Sequence, residues 1–159
     1  MRYQFVILLT WRVSGLDFRL PFWDQRGALE AVVARRADEL NRRRLNALDA
    51  VCNQETFTAK QVIHAFLSPY LELACLPDPG WQAYTILIAQ ISHNEHHMPV
   101  LKKYLDKVGH QFIDALQTCF PHATCQQVSS GFIFTAAAMV GIFSRPSRIE
   151  KPLAKQHLQ

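Results

Sequence analysis

From Ala28 to Val51 the apolar residues Leu29, Val32, Val33, Leu40, Leu48 and Val51 recur three and four positions apart, the stripe of an amphipathic helix with one buried face. Asn53 and Gln54 end the pattern, and Thr56 or Thr58 offers an N-cap for a second helix. That helix carries Val62, Ile63, Phe66, Leu67, Tyr70, Leu71 and Leu73. Pro69 lies inside it, where the missing N–H and the ring clash predict a kink or a split. "LPDPGW" is a turn by its proline and glycine content. Trp81, Tyr84, Leu87, Ile88 and Ile91 then mark a third helix, which fails at "SHNEHHMP". A fourth is expected from Pro99 to Phe120 along Leu101, Leu105, Val108, Phe112, Leu116 and Cys119, a spacing close to a heptad seam. "PHAT" turns the chain, Thr124 caps, and a fifth helix runs to about Phe143.

The expected fold is therefore all-α, a bundle of about five helices over residues 28–144. Residues 1–27 form an atypical leading segment that matches neither helix nor strand and is expected to be poorly ordered. Residues 145–159 are polar and basic, with Pro146 and Pro152, and are expected to be a flexible tail.

Composition narrows the class without naming a task. With 49% apolar and 19% charged residues in 159, the chain is an ordinary globular domain with enough material for a core. The net charge of +4 is local: Arg35, Arg36, Arg42, Arg43 and Arg44 crowd one helix, and Arg145, Arg148, Lys151 and Lys155 crowd the tail. Asp38, Glu39 and Asp49 are interspersed with the first group, so an exposed helix face accounts for it and an anionic partner is permitted rather than required. The four cysteines share no C-x-x-C spacing, which points to free thiols in a reducing cytoplasm. "MRYQFVILLTW" lacks a small-residue cleavage site, and "GFIFTAAAMVGIF" is shorter than the roughly 20 residues a membrane helix needs. A cytoplasmic protein without a membrane span is expected.

Candidate chemistry is sparse. His93 and His97 stand four apart, but the order is not H-E-x-x-H and the segment sits where helical patterning fails, so a polar loop is expected and no metal. No serine or cysteine has a nucleophile's setting, no glycine-rich loop cradles a phosphate, and the acids form no pattern. Neither an enzyme nor a cofactor is expected. The aromatic residues of the middle helices have two readings. They fill the core, or they line an apolar pocket in which Tyr70, Tyr84 or His64 supplies the polar handle. The fifth helix is rich in small residues, Gly131, Thr135, Ala136, Ala137, Ala138 and Gly141, which suits a tight helix–helix seam. That seam lies between two subunits or closes the bundle within one chain.

"ALEAVVARRADELNRRRLNALDA", "VIHAFLSPYLELACLPDPGW" and "FIDALQTCFPHATCQQVSSGFIFTAAAMVG" together resemble the ligand-binding domain of TetR-type transcriptional regulators, from Ala28 to about Ser144. The resemblance implies a homodimer that binds a small apolar or aromatic effector, with an N-terminal helix-turn-helix that binds a DNA operator. It places the pocket among His64, Phe66, Tyr70, Trp81, Tyr84, Leu87 and Phe112. It places the dimer seam at Leu105, Phe112, Leu116, Phe132, Thr135, Ala136 and Met139, and Arg35 and Arg36 near the DNA head. A stand-alone helical dimerisation module, binding neither ligand nor DNA, is the alternative.

The chain departs from that family before Ala28, where 27 residues hold no recognisable helix-turn-helix. Shifted by one nucleotide with suitable synonymous codons, Leu20-Pro21-Phe22-Trp23 becomes Tyr-His-Phe-Gly and Asp24 to Ala28 becomes Thr-Lys-Glu-Ala-Leu, a motif that ends the family's DNA-binding head. On this reading the residues before about Leu29 are out-of-frame translation, and operator binding by this chain is not expected.

Overall fold

The computed structural model describes residues 22–92 and 94–143. The leading segment up to residue 21, the tail after residue 143 and His93 therefore lie outside the described residues. Six helices, with no strand among the described residues, form the bundle: α1 (Phe22–Cys52), α2 (Ala59–Ala74), α3 (Pro79–Ile91), α4 (Met98–Leu101), α5 (Lys107–Cys119) and α6 (Cys125–Phe143).

Helix α1 begins at Phe22, six residues before the expected start at Ala28. Gln25, Arg26, Ala28, Leu29 and Glu30 are good helix formers and carry the helix backwards past the point where apolar periodicity is visible. Its buried stripe is Val33, Ala37, Leu40, Arg44 and Leu48, with Val51 partly buried, while Val32 faces solvent. This stripe packs on α2, α3 and α5.

Side-chain caps set the remaining starts. Thr58, rather than Thr56, closes a capping box with Gln61: the Thr58 N–H donates to Gln61 Oε1 at 2.8 Å, and the Gln61 N–H donates to Thr58 Oγ1. Asp78 Oδ1 accepts from the Gly80 N–H at 2.7 Å to start α3, with Pro79 at the first turn. Thr124 and Gln127 repeat the box ahead of α6. Pro69 does not split α2, which runs unbroken across it.

The fourth expected helix divides. Asn94 caps a single 3-10 turn, Glu95–His97, inside the segment read as a polar loop, by accepting from the His96 N–H. From Met98 the chain is continuously helical to Cys119, but Lys102–Asp106 is a π turn. The wide turn is held against α1. Asn41 Nδ2 donates to the Tyr104 carbonyl at 2.6 Å, and Lys103 Nζ and Tyr104 Oη both donate to Glu30 Oε1. Wide helical turns of this kind leave carbonyls short of intrahelical partners, and here a side chain from α1 supplies one.

Candidate functional site

The centre of the bundle is an aromatic cluster built around a cation. Arg44 occupies the apolar stripe of α1, four residues from both Leu40 and Leu48, so the helix turns it inward with them. It is only 4% exposed. Its guanidinium lies 3.9 Å from the centre of the Phe66 ring and 6.0 Å from that of Tyr70. Arg44 Nε donates to the Phe66 carbonyl at 3.0 Å, in the turn of α2 that Pro69 leaves one backbone hydrogen bond short. Among the described residues, Arg44 Nη2 has only the Met139 thioether facing it, at 3.6 Å.

Among the described residues the cation has no anion opposite it. The ion pairs among the described residues are Arg36–Asp78, Arg43–Glu39 and Lys103–Glu30, and none includes Arg44. Burial holds the guanidinium well below its ordinary value, at about 10, countered in part by Tyr84 and Tyr70. The same desolvation pushes the Tyr84 phenol up to about 12 and raises that of Tyr70, each against the pull of Arg44. The Tyr84 hydroxyl is buried with no hydrogen-bond partner among the described residues.

Rings close the cluster. Phe66 meets Phe112 edge-on at 5.2 Å and Phe132 at 4.7 Å, and Phe112 stacks on Phe132 at 6.2 Å. Trp81 meets Tyr84 edge-on at 5.5 Å. Of the residues expected to line a pocket, Phe66, Tyr70, Tyr84 and Phe112 are thus gathered at one centre, Trp81 borders it, and Leu87 packs partly buried against the core. His64 is elsewhere. It is exposed, with Ser68 Oγ 3.1 Å from its Nδ1, on an open groove that it shares with Ala47, Val51, Gln54 and Gln61. The i, i+2 offset from Phe66 turns it to another side of α2.

The residues expected at a dimer seam separate in the same way. Phe112, Leu116, Phe132 and Met139 are buried in this chain's own core, while Leu105 and Ala136 pack against it partly exposed and Thr135 Oγ1 donates to the Gly131 carbonyl. The apolar surface left over on α6 is Ile133, Phe134 and Ile142, which are 62%, 75% and 52% exposed. On α1, Arg35 is exposed, but Arg36 is tied down, 4.6 Å from the centre of the Trp81 ring and 3.7 Å from Asp78. Its guanidinium passes so close to Gly80 that a Cβ there would meet Nη2.

Arg44, the polar centre of the cluster, was grouped from sequence with the exposed arginines. The signal that identifies it is register: Arg44 stands four residues from both Leu40 and Leu48 and is bracketed by them on the buried stripe.

Residues 64–159 match the model of the tetracyclin repressor-like C-terminal domain. The chain belongs to that family. A comparison with curated proteins finds no match. Tetracyclin repressor-like C-terminal domains are generally dimeric and bind small-molecule effectors in ligand-responsive regulators, not enzymes. Among the described residues no group of three metal-binding side chains comes together.

Proposed function

We propose that this tetracyclin repressor-like chain is the effector-binding and dimerisation part of a cytoplasmic transcriptional regulator, acting as a homodimer on a small apolar or aromatic molecule. Its effector would lie at the aromatic centre between α1, α2, α3 and α5. Residues 1–27 stand as the remnant or out-of-frame equivalent of a DNA-binding head, residues 28–144 as the effector and dimer domain, and residues 145–159 as a basic tail. DNA binding is not assigned to this chain.

The observation that carries the dimer is α6. No residue of this helix from Cys125 to Phe143 is charged, and its outer side presents Ile133, Phe134, Ala137, Ala138, Gly141 and Ile142. Large apolar side chains set together on an otherwise uncharged helix mark an interaction surface. The small residues beside them let a second helix approach closely, and a two-fold axis through that face makes it self-complementary. The same helix is long and apolar enough to cross a membrane, with a mean hydropathy of 1.3 over 18 residues. However, Val128, Phe132 and Met139 fix its inner side to the bundle, which favours a second copy over lipid.

Light scattering on the full chain tests the reading. Twice the 18.2 kDa chain mass is expected at micromolar concentration, and a mass of one chain overturns it.

A further inference from the structure

We propose that the effector of this domain carries a carboxylate, and that Arg44 receives it at the centre of the bundle with the Tyr84 hydroxyl as a second donor. This rests on the effector-binding role proposed above and names the chemical class of the effector.

Three observations converge. A buried guanidinium ordinarily stands opposite a carboxylate, because an uncompensated charge in the interior is costly. Arg44 has no acid within ion-pair reach among the described residues. One hydroxyl in the same cluster, that of Tyr84, is buried without a hydrogen-bond partner among the described residues. Finally, the group opposite Arg44 Nη2 is a thioether, a weak acceptor on an unbranched and adaptable side chain. A carboxylate displacing Met139 from that position exchanges the weakest contact of the guanidinium for a charge-assisted one. The apolar remainder of the ligand then lies against Phe66 and Phe112.

A purely structural Arg44, satisfied by the Phe66 ring and carbonyl, is the competing account, and the two part in solution. The full chain is titrated by calorimetry with octanoate and phenylbutyrate and with the matched neutral alcohols, octanol and phenylbutanol. The acids are expected to bind at least about tenfold more tightly than the alcohols, the range of hydrogen bonds to a charged group. Arg44→Met, checked for fold by circular dichroism, is expected to bring the acid-to-alcohol affinity ratio to parity. Parity in the unsubstituted chain, with both classes bound, overturns the carboxylate assignment and leaves effector binding standing. Binding of neither overturns both. Should Arg44→Met fail to fold, Tyr84→Phe removes a single oxygen that makes no hydrogen bond among the described residues. Its acid-to-alcohol ratio is expected to fall about threefold, and an unchanged ratio overturns the place given to Tyr84.

Discussion

Replacing Arg44 by methionine is expected to leave the stability of the domain nearly unchanged, although the residue is a buried charge in the core. The drop of the guanidinium from its ordinary value to about 10 corresponds to about 3 kcal/mol against carrying the charge in the fold. Against that stands the hydrogen bond to the Phe66 carbonyl, in the range of about 1.5–3 kcal/mol for a charged donor. The stacking on Phe66 adds about 1–2 kcal/mol. Methionine has a similar length, fills the space among Phe66, Tyr70 and Met139, and needs no partner. The terms nearly cancel, so a change within about 1 kcal/mol is expected in urea unfolding followed by circular dichroism at a fixed protein concentration, since dimerisation makes the midpoint depend on concentration. A loss greater than about 3 kcal/mol would refute the reasoning, because the cation would then be an anchor whose charge the fold already balances.

Three further outcomes can be checked. Phe134→Glu places a charge on a side chain that is 75% exposed, so it should leave the helical spectrum intact and yield a single-chain mass in light scattering. Phe112→Ala empties a fully buried site and should cost about 3–5 kcal/mol in the same urea assay, a loss of fold rather than of assembly alone. In alkali, the Tyr84 phenol at about 12 and the raised Tyr70 stay protonated in the fold while their unfolded counterparts ionise from pH 10. Stability therefore falls above pH 10 by two protons, offset by one from Arg44, which the unfolded chain still holds there while the folded one releases it. The net slope is about 1.4 kcal/mol per pH unit, and ultraviolet phenolate absorbance should show Tyr70 and Tyr84 ionising only with unfolding.

Much of this bundle is legible from spacing. Local physics writes the starts of α2, α3 and α6, since Thr58, Asp78 and Thr124 cap through atoms two or three residues away. The π turn is not local in that sense. Nothing between Lys102 and Asp106 breaks helical spacing, and the partners that hold the turn, Asn41 and Glu30, lie more than sixty residues upstream. The aromatic centre is legible as a list of large residues but not as a site, because the charge of its polar member, Arg44, matches that of the solvent-facing arginines beside it and only its register sets it apart. His64 was drawn in by its neighbour Phe66, and only the side of α2 on which each stands separates them. On α6, counting apolar residues finds the helix but does not divide the side that closes the core, Phe132 and Met139, from the side left bare, Ile133 and Phe134.

The length of α1 has a mechanical consequence. Its 31 residues without a break make a rod of about 46 Å. Arg44 sits roughly two-thirds of the way along it, about 33 Å from Phe22. A tilt of about 5° pivoting there, small enough for side chains in the core to absorb, carries the Phe22 end through about 3 Å. Whatever is joined to that end is displaced by almost the width of an atom when the centre of the bundle rearranges.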